Sequence, residues 1–340
     1  MGAGLMEYDE LAYHGATPWH GQGHPLKGLV TSEEMRQASN LMWEPELHPV
    51  YLQHIGLGDE HPQFIEAKHH RAVVRSDHRD VVLGVVSDNY QIIENAEMFD
   101  FCDALVDAGA HYETAGSIHN GRRVWALCRV PETVQINGVE DDEVQMYVAC
   151  AQGHDGGFSL RAMVTPVRIV CQNTLQAALN TQRTFTVRHA GSPQDKLADA
   201  QEALGITFNW AKAFGEFAND MAARPMADDE FARLVQHVLP PMTDGSVSTS
   251  TANSRARLQS LYHVAPENNL PGMQETRWAA FNAVTQYVDW QSPGRSSKFG
   301  GASENEFASK MWGGGVQVKQ RASKMLRLPE VPPVRVTVSA

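Results

Sequence analysis

The sequence predicts an α+β protein, in which an antiparallel, hairpin-rich sheet packs against helices and is followed by a helical C-terminal region. Two observations predict this fold. Between His69 and Cys171, short apolar runs are separated by turn signals such as Asn120-Gly121 and Asp155-Gly156. Beyond Ser192, apolar residues recur at helical spacing and the helical segments end at prolines.

Four regions follow from this pattern. Residues 1–61 are expected to form an N-terminal arm or irregular layer, with one short helix that begins at Thr31 or Ser32. Residues 62–192 form the α+β core, residues 193–293 a helical region, and residues 294–340 a flexible, basic C-terminal segment. The segments "TDGSVSTSTANS" and "SPGRSSKFGGASENE" are typical of mobile loops.

Three hairpins are predicted within the core. The first turns at Ser76–Asp80 and is followed by a helix capped by Asn95, and the second turns at Asn120-Gly121. The third turns at His154–Gly157, and a helix capped by Asn173 or Thr174 follows it. The core therefore repeats a hairpin followed by a helix.

Composition indicates a globular protein of the cytoplasm. The 340 residues are 42% hydrophobic and 20% charged, and no apolar run approaches the roughly 18 residues that span a bilayer. The N-terminal segment lacks the pattern of a secretory signal. The four cysteines are widely spaced without a CxxC pair, so we expect reduced thiols and no zinc site.

Positive charge is concentrated in two segments, although the net charge is −12. Gly156–Gln194 contains no Asp or Glu, and a second basic tract runs from Arg295 to Arg327 with Glu304 and Glu306 as its only acids. The candidate DNA-contacting residues are Arg161, Arg168, Arg183, Arg188, Lys319, Arg321 and Lys324. The alternative for the arginines is pairing with the acidic helices around Asp195–Asp199 or with the "VEDDEV" stretch. The alternative for the C-terminal tract is an amphipathic helix packed on the protein body.

Other candidate sites are weaker. Cys171 could be a nucleophile with His154 or His189 as its base, or a small buried apolar residue. Histidines and aspartates near residues 69–80, and the pair His20 and His24, match no known metal pattern. We therefore predict no catalytic residue, metal or cofactor. Core packing explains the helically spaced aromatic residues without base stacking; these are Trp210, Phe214, Trp278, Phe281 and Tyr287.

Several linked motifs carry a family resemblance. These are "TPWHGQG", "VVLGVVSDNYQIIENAEMFDF", "YETAGSIHNGRRVWAL", "HDGGFSLRAMVTPVRIVCQNTLQAAL", "FTVRHAG" and "RWAAFNAVTQYVDW". Their succession resembles the phage/plasmid-like family, the domain of unknown function numbered 932, from about Thr17 to Trp290. The resemblance implies an actinobacterial phage, plasmid or transferred-island setting, and it carries over no catalytic residue.

The predicted topology is also similar, more remotely, to the phage single-strand annealing superfamily, whose members form rings or filaments and lay single-stranded DNA in a basic groove. We therefore predict a non-enzymatic protein of a phage or other mobile element that binds or anneals single-stranded DNA in recombination or replication. It would act as a homo-oligomer in the bacterial cytoplasm, without a membrane partner. The alternatives are a Cys/His-dependent hydrolase or nucleotide-processing enzyme, and a modulator of a host protein.

Overall fold

The structure, a computed structural model, describes residues 7, 9–14, 23–54, 61–139, 141–157, 160–168, 173–174, 184–186, 193–292 and 314–326. The strands are β1 Leu11–His14, β2 His24–Leu26, β3 Pro45–His54, β4 Gln63–Arg75, β5 Val82–Ser87, β6 His111–Ile118, β7 Arg123–Gln135, β8 Glu143–Gly153, β9 Arg161–Arg168, β10 Asn173–Thr174 and β11 Thr184–Thr186. The helices are α1 Ser32–Ala38, α2 Asn95–Asp107, α3 Pro193–Ala222, α4 Asp228–Val238, α5 Thr249–His263, α6 Arg277–Gln286 and α7 Gly314–Met325. A π-helix, Tyr287–Gln291, continues α6. The predicted α+β class is confirmed.

The strands form two sheets. The larger sheet has the order β10-β9-β8-β7-β6-β1-β2, with β11 also paired to β9, and the smaller sheet has the order β3-β4-β5. Strands joined by the predicted turns are neighbours in these sheets. The β6–β7 turn contains Asn120 at φ 58° and Gly121 at φ 94°, a backbone conformation that Asn and Gly tolerate best.

The chain divides into two compact units, each assembled from three stretches. The first contains residues 1–129, 149–162 and 184–203, and the second contains residues 130–148, 163–183 and 204–340. In the first unit, α2 contributes the buried side chains Phe99, Phe101 and Leu105 to the core. In the second, Phe214 and Phe217 of α3 pack against Trp278 and Phe281 of α6. The prediction of core packing is confirmed for Phe214, Trp278, Phe281 and Tyr287, and the side chain of Trp210 lies outside the described part.

Local capping defines the helix starts. Thr31 and Glu34 form a reciprocal capping box at α1, as the acidic first turn of the predicted helix suggested. Ser248 caps α5 and Thr276 caps α6 through their side-chain oxygens. At α2 the cap position is Glu94, and the predicted cap Asn95 is instead the first helical residue, where its side chain is buried.

Three further predictions of local structure require correction. Strand β3 lies in the region expected to be irregular, and it pairs with β4, which begins at Gln63. The "TSTANS" part of a predicted loop is the first part of α5, because Ser248 provides an N-cap that the Ser/Thr-rich composition concealed. Asn173 and Thr174 pair with β9 as a short strand, and the helix predicted after them lies outside the described residues, as does the predicted loop at 293–306.

Candidate functional site

The candidate site is one end of the larger sheet, here called the turn end, where the β6–β7 and β8–β9 connections lie. The backbone N–H of His154, just after β8, donates to Arg122 O, just before β7, at 3.0 Å. Arg161 begins β9 after a short connection from β8, which requires an antiparallel hairpin. The turn end therefore brings Arg122, Arg123 and Arg161 together with the His154–Gly157 turn.

Asp9 braces the turn end from the N-terminal segment. Its carboxylate is buried and accepts hydrogen bonds from Ser117 Oγ at 2.7 Å, Asn120 N at 2.9 Å and Gly121 N at 2.9 Å. These bonds fix the Asn-Gly turn that orients Arg122 and Arg123. Asp9 precedes these partners by at least 108 residues, so no local sequence pattern predicts this role.

One arginine of the turn end is paired with a carboxylate of the His154–Gly157 turn. Arg123 pairs with Asp155 at 2.7 Å, and both side chains are mostly buried. Burial opposes ionisation of Asp155, but the Arg123 hydrogen bond and the nearby positive charges outweigh burial and lower the pKa of this carboxyl. Arg122 is exposed, and Arg161 is half-buried on the strand face opposite the buried Ala162 and Val164. Arg161 was predicted from the acid-free segment, whereas Arg122 and Arg123 of the "NGRR" motif were not among the predicted contacts.

A buried polar cluster, here called the His154 cluster, lies beneath the turn end. Asn95 Nδ2 donates to Trp43 O at 2.8 Å, which leaves Asn95 Oδ1 to accept from Gln152 Nε2 at 2.9 Å and from His154 Nε2 at 3.0 Å. The His154 ring also packs edge-on against Trp43, with centroids 5.5 Å apart. These contacts hold His154 as a neutral ring with its proton on Nε2.

The environment of His154 explains why it is unsuited to act as a general base. Burial, followed by the positive charge of Arg123, lowers the pKa of His154 to about 3. The side chain is 2% exposed, so a substrate has no direct access to the ring. Cys171 and His189, the other residues of the enzyme hypothesis, lie outside the described residues. His154 is therefore a buried residue that stabilises the core.

Arg75 reinforces the same core. Its side chain is fully buried, its guanidinium lies 4.5 Å from the Trp43 ring centroid, and it binds both carboxylate oxygens of Asp77 at 2.9 and 2.8 Å. Arg75 Nη1 also donates to Asn120 O at 3.2 Å, which links β4 to the turn end. Asp77, one of the aspartates near residues 69–80, is therefore the partner of a buried arginine.

The structure describes only some of the remaining candidate DNA contacts. Arg168 ends β9, but its side chain lies outside the described part, and Arg183 and Arg188 lie outside it entirely. On α7, Arg321 is half-buried and Lys324 is exposed.

Lys319 is not available at the surface. Its side chain is 1% exposed, and its Nζ donates to Asp289 Oδ1 of the π-helix at 2.6 Å. The assignment of Lys319 to a DNA phosphate therefore needs correction, because its charge is buried against a carboxylate within the second unit. Ala322 and Ser323 on the same helix, and Leu326 just after it, are buried, which agrees with the alternative of a packed amphipathic helix.

The other cysteines and histidines that could carry catalysis or bind a metal either have structural contacts or lie outside the described part of the chain. Cys102, Cys128 and Cys150 are buried and reduced; hydrogen bonds with the other two thiols, together with burial, raise the pKa of Cys102. Among the described residues, no group of three His, Cys, Asp or Glu side chains could hold a metal ion. His69 contacts Asp88 at 3.0 Å and His24 contacts Glu10 at 3.4 Å, and His20 is outside the described ranges.

A cavity of about 580 Å³ lies in the first unit, beside the start of α1. His14, Leu29, His111 and Arg129 are among the residues that line it, together with Asp103. Asp103 is already occupied, because its two oxygens accept from Ser32 Oγ at 2.7 Å and from the Tyr112 hydroxyl at 2.8 Å. The cavity has the size of a small-molecule site, but its polar groups define no ligand class.

Comparison with known proteins assigns the family. A family model described as a domain of unknown function, DUF932, matches residues 82–312, well over half of the chain. The chain belongs to the DUF932 family. No curated protein and no solved structure matches it significantly.

The DUF932 match defines which parts of the site are shared with the family model. It begins at Val82, the first residue of β5, and includes Asn95, Arg122, His154 and Arg161. Asp9, Trp43 and Arg75 precede the match, and α7 follows it. The family description names no activity, so it supports the resemblance seen in the sequence without adding chemistry. None of the described helices combines the length and apolar character needed to cross a membrane.

Proposed function

We propose that this DUF932 protein binds single-stranded DNA without chemical catalysis, in recombination or replication of a phage or other mobile element. It acts as a homo-oligomer in the cytoplasm of the bacterial host. The observation that carries the proposal is the presence of Arg122, Arg123 and Arg161 at one end of the larger sheet. Arginine side chains on a rigid sheet end can hold phosphates while leaving base edges free to pair.

Two further observations support the same function. Arg161 belongs to the acid-free segment Gly156–Gln194, so repulsion of phosphate by neighbouring carboxylates is low along that segment. His154 is enclosed beneath the turn end, which favours binding over a His154-dependent reaction there. Arg168, Arg183, Arg188, Arg321 and Lys324 remain proposed contacts, and Lys319 is omitted because it is paired with Asp289.

The salt dependence of binding tests the proposal. Anisotropy of a labelled single-stranded oligonucleotide is measured between low and moderate salt for the wild type and for Arg122→Gln/Arg161→Gln. Each lost phosphate contact lowers the slope of log K against log salt by about 0.7, so the double variant should bind more weakly with a slope smaller by about 1.4.

Arg233→Gln is the matched control, because Arg233 is exposed on α4 and pairs with Asp229 of the same helix at 2.8 Å. Its binding curve should equal that of the wild type. Absence of oligonucleotide binding by the wild type even at low salt would overturn the function. Normal binding by a folded double variant would remove the turn end from the interface.

A further inference from the structure

The outer part of the β3–β4 pair is a two-stranded ribbon with no described neighbour on either edge. Tyr51 pairs with Glu66, and the register continues through Leu52 with Ile65 and Gln53 with Phe64 to His54 with Gln63. An irregularity between Pro49 and Tyr51 separates this ribbon from the rest of the sheet. Strand β5 pairs with β4 only from His70 to Val74, so it does not reach the ribbon. All eight paired residues are exposed.

The ribbon carries large apolar side chains on both faces. Directly paired residues share a face and alternate residues return to it, so Leu52 and Ile65 lie on one face and Tyr51 and Phe64 on the other. Their exposed fractions are 52% for Tyr51, 64% for Leu52, 66% for Phe64 and 53% for Ile65. A two-stranded ribbon exposing such side chains on both faces is marginal by itself and indicates an interaction site.

Charge argues against nucleic acid as the partner of this ribbon. No Lys or Arg occurs from Tyr51 to Ala67, whereas this stretch contains Asp59, Glu60 and Glu66. The nearby cation Arg71 pairs with Glu66 at 3.5 Å, and the paired residues of the ribbon themselves offer a phosphate backbone no lysine or arginine. An anionic lipid surface is disfavoured for the same reason. A protein surface that contacts both apolar faces fits the ribbon better.

Interface area favours a second copy of this chain as that protein. The four side chains expose roughly 500 Å² in total, so docking of one ribbon covers about 1,000 Å² on both partners together. That area is at the low end for specific complexes. Two ribbons exchanged about a two-fold axis cover about 2,000 Å², which is sufficient for a stable dimer.

From these observations we infer that two copies of the chain associate by exchanging their β3–β4 ribbons. Leu52 and Ile65 from one face, and Tyr51 and Phe64 from the other, insert into the body of the second copy. The inference does not depend on DNA binding, since the ribbon is separate from the arginines of the turn end. It identifies the surface through which self-association occurs.

Sedimentation velocity over a range of protein concentrations tests this inference. The wild type should approach twice the 37.5 kDa chain mass as concentration rises. Leu52→Ser/Phe64→Ser removes one apolar side chain from each face and should raise the dimer dissociation constant more than about a hundredfold. At protein concentrations low enough for both to be monomeric, the double variant should have the same melting temperature as the wild type, because both side chains are exposed in the single copy. Leu29→Ser is the control, since Leu29 is 90% exposed outside the ribbon, and it should leave dimerisation unchanged.

Amide hydrogen exchange of the wild type gives a second, independent measurement if the double variant does not fold. Protection of residues 51–54 and 63–66 should increase with protein concentration in the absence of DNA. A wild type that stays monomeric, a folded double variant that dimerises normally, or exchange at the ribbon that is independent of protein concentration would each overturn the inference. Protection of the ribbon by an oligonucleotide at concentrations where the protein is monomeric would also overturn it, by identifying nucleic acid as the occupant.

Discussion

A Cβ atom added to Gly84 would lie 2.6 Å from Cα of Asp155, so β5 and the His154–Gly157 turn meet with direct backbone approach. A Cβ atom added to Gly156, whose φ is +75°, would lie 3.0 Å from Cγ1 of Val86, so the close approach extends to this residue. Gly84 lies in β5 of the smaller sheet, and Gly156 lies in the turn after β8 of the larger sheet, both within the first unit. The two glycines allow the Arg123–Asp155 pair to lie close to the smaller sheet. The candidate site therefore depends on a contact that only the absence of a side chain permits.

Gly84→Ala is expected to destabilise the protein, because the methyl group would overlap main-chain atoms of Asp155. Overpacking of this kind costs about 1–3 kcal/mol in unfolding free energy, measured by urea denaturation. Gly205→Ala is the matched control with the opposite sign. A Cβ at Gly205 meets open space on α3, so the variant should gain about 0.5–1 kcal/mol. Equal effects of the two substitutions would contradict the close approach at Gly84.

Protonation of His154 should make the protein less stable in acid. Burial lowers the pKa of His154 from 6.5 to about 3, so the unfolded chain binds more protons between these pH values. The stabilising contribution is complete above pH 6.5 and is lost as the pH falls toward 3, by up to about 1.4 kcal/mol per pH unit. Unfolding free energies from denaturant titrations at a series of pH values provide the measurement.

His154→Gln isolates this contribution. Its amide can still donate to Asn95 Oδ1, but it does not titrate, so the variant should be less stable at pH 7 and show a shallower loss of stability below pH 6.5. His61→Gln, at an exposed position, should retain the wild-type pH dependence. If His154→Gln and the wild type lose stability in parallel, His154 is not the neutral buried ring that the structure describes.

Lys319→Met should destabilise the second unit strongly. It leaves Asp289, which is buried, without the ammonium group 2.6 Å away, and breaking such a pair costs about 3–5 kcal/mol. Adding Asp289→Leu should recover part of the loss, because the buried carboxylate that lost its ammonium partner is then removed. Chemical denaturation of the four members of this cycle measures the coupling.

Lys324→Met separates the structural lysine from an exposed one on the same helix. Lys324 is exposed, so its loss should change the unfolding free energy by less than about 0.5 kcal/mol. The proposed function further predicts weaker oligonucleotide binding for this variant. Comparable stability losses for Lys319→Met and Lys324→Met would argue against the buried ion pair.

Asp9→Asn should loosen the β6–β7 turn. One of the two acceptor oxygens becomes an amide nitrogen that faces backbone or hydroxyl donors, at a cost of about 2 kcal/mol. Amide exchange should accelerate first at Asn120 and Gly121. Asp244→Asn, an exposed carboxylate in a local turn with Ser246, should leave global stability nearly unchanged. Retained protection of Asn120 and Gly121 in Asp9→Asn would show that other contacts hold the turn.

The sequence identified elements whose signals are local. The Asn120-Gly121 turn follows from positive φ angles that these two residues tolerate, and the α1 start follows from Thr31 and Glu34 at capping-box spacing. Strand β3 was missed because Pro45, Pro49 and its histidines conceal an alternating pattern, and its pairing is decided by β4. Arg122 follows the Asn120-Gly121 turn signal in the sequence, but only the hydrogen bond from His154 N to Arg122 O places it beside the β8–β9 connection.

By itself, the sequence determined the α+β class, the order of hairpins and helices, and the acid-free segment that motivates the DNA hypothesis, because each depends on residues a few positions apart. Tertiary structure alone decided that Lys319 is buried against Asp289, 30 residues earlier, and that His154 is enclosed by Asn95 and Trp43. Charge and burial at these positions depend on which elements pack together. The same side chain would be a surface cation or a neutral core group in a different packing arrangement.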